Sequence, residues 1–111
     1  MVWHLVLMKP KAGISSADRD ALVAAFNRAV QDIPTVREVR VGRRISHGAA
    51  YEAATPDAAE YLISIGFDDL EGLKTYLGHP SHQELAARFY QSLSSALVYD
   101  FEEGGVAGIG G

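Results

Sequence analysis

Residues 59–101 read AEYLISIGFDDLEGLKTYLGHPSHQELAARFYQSLSSALVYDF, and this stretch decides the fold. In its first part, residues 59–67, successive side chains fall alternately on two faces, a pattern that predicts a strand. Its last part, residues 96–101, is apolar and aromatic and predicts a second strand. The segment between them has helical spacing but contains a proline. The stretch as a whole therefore predicts a strand, a broken helix and a strand.

The helix between these strands is interrupted at Pro80. Asp68 or Asp69 can cap its first piece, and Gly78 can end that piece. The second piece begins after Pro80, because proline suits an early helical position, and Ser81 is a possible cap. In this second piece, residues at helical spacing form one inward face. They are His82, Leu85, Ala86, Phe89 and Leu93.

The first half of the chain predicts a matching strand, helix and strand. Residues 2–9 are short, apolar and β-branched, which indicates a strand. Ser15 or Ser16 can cap a helix that ends before Pro34, because proline disfavours helical geometry at the residue preceding it. In residues 36–45 valine alternates with charged side chains, which is the pattern of a strand with one solvent-exposed face or edge.

The predicted order is βαββαβ, the order of the α+β ferredoxin-like fold, a four-stranded antiparallel sheet with the helices on one face. The first and last strands are apolar on both faces, but helices can cover only one of them. Monomers rarely expose an apolar sheet face of this size. We therefore expect a homodimer, with two sheets packed face to face in a barrel-like sandwich about a two-fold axis.

Composition limits the classes of function. The 111 residues, 48% of them apolar, predict a single domain over residues 1–103 and a flexible glycine-rich tail over residues 104–111. The chain has no cysteine, which excludes disulfides and thiolate metal sites and fits a cytoplasmic location. A net charge of −4 argues against nucleic acid and membrane partners. RNA-recognition modules of this strand order also need a basic string on a central strand, which residues 59–67 lack.

Residues 76–82 read YLGHPSH, a tyrosine followed by a His-Pro-x-His motif just after a helix. Residues 4–9 add an early histidine and a lysine on the first strand, and residues 67–73 add a Phe-Asp-Asp-Leu-Glu-Gly-Leu segment. Residues 98–101 supply the closing strand. With these features the chain resembles, over most of its length, the stress-responsive A/B-barrel, or Dabb, domain family.

This resemblance implies small dimeric ferredoxin-like proteins with an apolar cavity between sheet and helices. A plant member of the family is a polyketide cyclase that closes an aromatic ring by intramolecular aldol condensation without a cofactor. The working residues of that enzyme correspond to Tyr76 and His82, and its strand-one histidine, here His4, also lies in the cavity. A further cavity histidine on its third strand corresponds to Tyr61 or a neighbour, so the same substrate is not expected.

The residues themselves support this choice of site. His82 shares the apolar helix face, so it points inward, where burial keeps its imidazole neutral and able to accept a proton near pH 7. The Tyr76 hydroxyl can orient this imidazole or donate to a developing enolate oxygen. We therefore predict that His82, Tyr76 and His4 are catalytic and need neither cofactor nor metal. The expected ligand is a small apolar or aromatic carbonyl compound, and the expected activity is that of a cyclase or lyase.

Structural roles for the same residues are the alternative. His82 can be a core histidine bonded to a backbone carbonyl, and His79 can cap the preceding helix. Tyr76 can be half-buried with its hydroxyl in water, and His4 can lie at a strand edge. His47 is expected to be a solvated loop residue. On this interpretation the chain is a non-catalytic stress-responsive or accessory dimer.

A metal site and a gating loop are two further possibilities. His79 and His82 are three residues apart and His4 offers a third nitrogen, but Pro80 interrupts the helical pair and no carboxylate completes the set. Residues 46–57 lack a clear period and predict a long loop of the kind that is often functional. The sequence leaves open whether this loop gates the pocket.

Overall fold

We describe the fold from a computed structural model, which covers residues 1–111. The chain forms four strands and three helices in the predicted order, with the second helix divided in two. These elements are β1 (Val2–Pro10), α1 (Ser16–Asp32), β2 (Glu38–Arg43), β3 (Tyr61–Phe67), α2 (Leu70–Gly78), α3 (Pro80–Ser92) and β4 (Leu93–Glu102). Short 3₁₀ helices lie between β2 and β3 and in the C-terminal tail, at Ala50–Ala54 and Val106–Gly108.

The strands form one antiparallel sheet in the order β2-β3-β1-β4. In this order β1 is an inner strand, and its residue His4 pairs with Ile65 of β3 and with Asp100 of β4. These three side chains therefore project from the same face of the sheet, the face that the helices cover. The predicted α+β ferredoxin-like fold is confirmed.

The helices begin where the sequence predicts. The Ser15 hydroxyl accepts a hydrogen bond from the backbone N–H of Asp18 at 3.1 Å. The Asp69 carboxylate accepts one from the N–H of Gly72 at 2.9 Å. Each cap satisfies a backbone donor in the first turn that has no partner within the helix.

Several predicted boundaries are wrong. β2 covers only Glu38–Arg43 instead of residues 36–45, because β3, its single partner, begins at Tyr61 and pairs with it no further than Arg43. Leu93 is not on the helix face: it begins β4, where pairing with Pro10 of β1 gives it extended geometry. The cap of α3 is His79 and not Ser81.

The core lies between the helices and one face of the sheet. Its most buried members come from both layers and include Ala25, Ala29, Ile33, Ile65, Phe67 and Tyr76. The opposite face of the sheet has no layer over it, and its apolar side chains on β4, Leu97, Tyr99 and Phe101, are 38%, 50% and 52% exposed.

Residues 104–111 follow β4 and are exposed, including the apolar Val106 and Ile109. It remains a prediction that this tail is flexible and lies outside the domain of residues 1–103. None of the three helices has the length and apolar character needed to cross a bilayer.

Candidate functional site

A cavity of about 220 Å³ lies between the sheet and helices α2 and α3. His4, Tyr76 and His82 supply its strongly polar groups. The surrounding wall is apolar and includes Val6, Phe26, Ile63, Ile65, Leu85 and Phe89. The cavity reaches the surface beside Leu77 and Val98, which are 38% and 50% exposed. The three predicted site residues therefore meet in one apolar space with a surface opening.

His4 is held in this space by its position on an inner strand and by Asp100. It is 3% exposed, and its Nδ1 lies 2.6 Å from the Asp100 carboxylate on the neighbouring strand. A carboxylate oxygen accepts hydrogen bonds, so we assign the ring hydrogen of His4 to Nδ1, which donates a hydrogen bond to Asp100. The Nε2 atom is then free to interact elsewhere.

Tyr76 lies near the C-terminal end of α2 and is almost fully enclosed, with 1% of its surface exposed. Its ring centroid lies 4.8 Å from that of His82, 5.6 Å from that of His4 and 5.3 Å from that of Phe67. Burial raises the pKa of Tyr76 to about 12. The hydroxyl therefore stays protonated at neutral pH and can act as a hydrogen-bond donor.

The break between α2 and α3 places His82. The backbone N–H of His79 donates to the Tyr76 carbonyl at 3.2 Å, and its Nδ1 accepts from the N–H of Ser81 at 3.0 Å. His79 thus ends α2 and caps α3, with Pro80 as the first residue of α3. His82 follows in the first turn, with its N–H donating to the His79 carbonyl at 3.0 Å.

The His82 imidazole is half-buried in the cavity wall. Burial lowers its pKa, electrostatic repulsion from the neighbouring His4 imidazole lowers it further, and a hydrogen bond to the backbone of Leu77 raises it. The neutral form of His82 is therefore favoured at neutral pH, which leaves a ring nitrogen able to accept a proton.

The structure decides between several of the alternatives for individual residues. Tyr76 is not half-buried and His4 is not at a strand edge, because α2 packs on the sheet and β4 covers the far side of β1. His79 caps α2 through its backbone, while its imidazole caps α3. His47 is exposed, as predicted, and its Nε2 lies 2.8 Å from the Tyr51 hydroxyl. No three histidine, aspartate or glutamate side chains are arranged to hold a metal ion.

Sequence reasoning missed Asp100, and it left the strand-three position of the cavity open between Tyr61 and a neighbour. Asp100 looks like an ordinary charged residue on an edge strand, and only the register of β4 against β1 brings it to His4. Tyr61 lines a different cavity, and the β3 residues in the wall of the His82 cavity are Ile63 and Ile65. The loop over residues 46–57 borders a polar cleft around Arg44 and not the cavity of His82.

This arrangement combines a protonated hydroxyl, a neutral imidazole and an imidazole fixed by a carboxylate in an apolar space. A neutral imidazole can remove a proton from a bound molecule, and a nearby hydroxyl can donate a hydrogen bond to the oxygen on which negative charge develops. The site has the groups needed for proton transfer at a carbon next to a carbonyl.

Two curated plant proteins are similar to the chain over nearly its whole length. A stress-response A/B barrel domain-containing protein of Arabidopsis thaliana is 26% identical, with 91% of this chain and 88% of that protein covered. Olivetolic acid cyclase of Cannabis sativa is 22% identical, with 90% of this chain and 94% of that protein covered.

Solved structures share the fold at low sequence identity. Hydroxynitrile lyase from Passiflora edulis superposes with a TM-score of 0.77 at 16% identity, with 93% of each chain covered. A dimeric ferredoxin-like protein of unknown function from Thermobifida fusca superposes with a TM-score of 0.69 at 17% identity, with 92% of this chain and 90% of that chain covered.

The family model of the stress responsive A/B barrel domain matches residues 2–103, which contain every strand of the sheet and every residue of the cavity. The resemblance based on the Tyr76–His82 motif is thereby confirmed. The chain belongs to the stress responsive A/B barrel domain family.

Proposed function

We propose that the chain forms a homodimer in which each protomer binds a small carbonyl compound and acts on it as a cofactor-free cyclase or lyase. In this proposal His82 is the general base and Tyr76 is the hydrogen-bond donor to the enolate oxygen. His4, held by Asp100, is the third polar contact of the substrate. The absence of cysteine fits a reducing compartment, and we propose the cytoplasm as its location.

One observation carries this proposal: the Tyr76 hydroxyl and two imidazoles converge in an otherwise apolar cavity. A core built only for stability gains little from three polar groups, because each buried polar group must be hydrogen-bonded or costs free energy. The Tyr76 hydroxyl forms no hydrogen bond within the chain, and burial alone accounts for its raised pKa. Ser92 Oγ is the fully enclosed side-chain polar atom that lacks a partner, so the Tyr76 hydroxyl is open to the cavity. A ligand oxygen is a suitable partner for such a hydroxyl.

The reaction follows from the protonation states of the two residues. Neutral His82 takes a proton from the carbon next to a carbonyl. The electron pair of that C–H bond forms the C=C bond of an enolate, and the π pair of the carbonyl moves onto its oxygen. Tyr76 donates a hydrogen bond to this oxygen. In a cyclase, the enolate carbon then bonds to a second carbonyl carbon, and the protonated His82 returns its proton to the resulting alkoxide.

The dimensions of the cavity favour a small ligand. A volume of about 220 Å³ is below the usual range for drug-sized ligands. The aromatic and aliphatic wall favours an apolar or aromatic compound over a sugar or a phosphate, which need many hydrogen bonds or cations. Olivetolic acid cyclase and hydroxynitrile lyase bear names that fit a cyclase or lyase of small molecules.

The homodimer rests on the uncovered face of the sheet. Leu97, Tyr99 and Phe101 are exposed there, next to the half-buried Leu5 and Leu7 of β1. A second copy of this face would cover these side chains about a two-fold axis. The protein from Thermobifida fusca with this fold is described as dimeric.

Proton abstraction is tested without knowing the natural substrate. We would incubate the protein in D₂O with aryl and alkyl β-diketones and follow exchange of the α-protons by proton NMR. The expected result is exchange that His82→Gln slows by about 10²–10⁴-fold, the usual contribution of a general base. His47→Gln is the matched control, because this histidine is exposed in the loop between β2 and β3 and does not line the cavity.

The exchange rates distinguish catalysis from a purely structural role. Equal slowing by His47→Gln and His82→Gln, or exchange no faster than in buffer for every diketone, contradicts the assignment of His82 as a base. The exposed sheet face would then favour the second candidate, a non-catalytic dimer. Its test is light scattering of Tyr99→Glu, because a charge at this position should leave only monomer.

A further inference from the structure

A second cavity lies on the helix-covered side of the sheet, at the end away from His82. Its volume is about 470 Å³, and nine of its twelve lining residues are hydrophobic. Phe26, Phe89 and Ile63 line both this cavity and that of His82, so they form the wall between the two. This space contains none of the proposed catalytic residues and has no part in the reaction described above.

This second cavity is open because α1 leaves part of the edge strand β2 uncovered. Val41 of β2 and Val23 of α1 both line it and are 61% and 44% exposed. Val41 projects to the helix side of the sheet, since it pairs with the buried Ile63. The proposed dimer uses the opposite face of the sheet, so a second copy does not cover these side chains.

A cation without a carboxylate partner lies at the mouth of this cavity. The Arg43 guanidinium donates a hydrogen bond to the Tyr61 hydroxyl at 3.1 Å and lies 5.6 Å from the centre of the Tyr61 ring. Tyr61 lines both the apolar cavity and the adjoining polar cleft, which also contains Arg43. The guanidinium is therefore placed where the apolar space opens to solvent.

The other cations of this region are already paired. Arg19, which lines the cavity itself, lies 3.1 Å from the Asp20 carboxylate. Asp57 accepts from Lys9 at 2.8 Å and from Arg44 at 3.5 Å. Glu60 also lines the cleft but forms no salt bridge with Arg43. Arg43 is thus the positive charge that is free to bind an added anion, and its remaining N–H groups can bind a carboxylate in a bidentate manner.

We propose that this second cavity binds an amphipathic monoanion, with its hydrocarbon chain between α1 and the sheet and its carboxylate on Arg43. The class of ligand is an aliphatic monocarboxylate. An apolar cavity with one unpaired cation beside its opening matches such a molecule in both shape and charge. A neutral hydrocarbon would leave the guanidinium unused, and a polyanion would face Asp57 and Glu60 in the same cleft.

The test measures binding of decanoate and of uncharged decan-1-ol by isothermal titration calorimetry at monomeric ligand concentrations. We expect Arg43→Gln to weaken decanoate binding about fivefold, since the ion pair is exposed, and to leave decan-1-ol binding unchanged. Arg88→Gln is the matched control: it removes one positive charge from α3, away from both cavities. Shortening the chain from decanoate to octanoate should weaken binding about tenfold.

A third variant locates the hydrocarbon chain. Val41→Trp alters a largely exposed position and fills the mouth of the cavity, so it should weaken binding of both decanoate and decan-1-ol. The inference is overturned if decanoate does not bind to the wild-type protein or if Val41→Trp leaves both affinities unchanged. It is also overturned if Arg88→Gln weakens decanoate binding as much as Arg43→Gln does. None of these outcomes depends on the activity of His82.

Discussion

Replacing Tyr76 by phenylalanine and by alanine separates the packing role of this residue from its chemical role. The side chain is 1% exposed and packs against three rings, those of His4, Phe67 and His82. Tyr76→Ala should therefore lower the free energy of unfolding by about 3–5 kcal/mol, as for other buried aromatic residues. At roughly 4 °C per kcal/mol for a chain of this size, the melting temperature should fall by about 12–20 °C.

Tyr76→Phe keeps the packed ring and removes only the hydroxyl. The hydroxyl has no hydrogen-bond partner within the chain that would be left unsatisfied, so stability should change by no more than about 0.5 kcal/mol. Deuterium exchange of a bound β-diketone should nevertheless slow by about 10²–10³-fold, because the donor to the enolate oxygen is lost.

The assay is thermal unfolding followed by circular dichroism, together with the exchange measurement. All variants must be compared at one protein concentration, because the apparent stability of a dimer depends on it. If Tyr76→Phe loses about 2 kcal/mol or more, the hydroxyl has a structural partner and our account of the site is wrong. If Tyr76→Phe retains full exchange activity, the hydroxyl is not the donor to the enolate oxygen.

The remaining predictions concern the neighbours of Tyr76. The pKa of His82 is lowered in the folded chain, so the unfolded chain binds the proton more readily. The contribution of neutral His82 to the free energy of unfolding is therefore fully present above about pH 6.5 and is lost as the pH falls from there towards the folded-state pKa. Urea unfolding at several pH values should detect this decrease in the wild-type protein and not in His82→Gln. Asp100→Asn should reduce stability by only about 1 kcal/mol, because Asp100 is 44% exposed, but it should change the tautomer or orientation of His4 as detected by nitrogen NMR. Leu85→Ala, at a position 3% exposed in the cavity wall, should cost about 2–5 kcal/mol by equilibrium unfolding and should admit bulkier diketones in the exchange assay.

The order of elements could be predicted from local signals because those signals act within a few residues. Ser15 and Asp69 cap helices through donors three residues away, and Pro80 breaks a helix through its own ring. The end of α3 could not be predicted in this way. Leu93 fits the helical spacing, and it is its pairing with Pro10, more than eighty residues earlier in the chain, that makes it a strand residue.

The candidate site also has a part that local sequence could predict and a part that it could not. The motif over residues 76–82 carries the resemblance to the A/B-barrel family, and that resemblance implies Tyr76, His82 and His4 as site residues. Helical periodicity by itself places only His82 on the inward face. The sequence by itself thus determined the class of fold and the identity of the three converging residues.

Only the tertiary structure decided how these residues are held. The partnership of His4 with Asp100 depends on the register between β1 and β4, and the complete burial of Tyr76 depends on how α2 lies on the sheet. The second cavity and the unpaired Arg43 at its mouth arise where α1 stops short of the edge strand β2. Register, helix placement and uncovered edges are set by contacts between distant segments, and no window of adjacent residues contains both partners of such a contact.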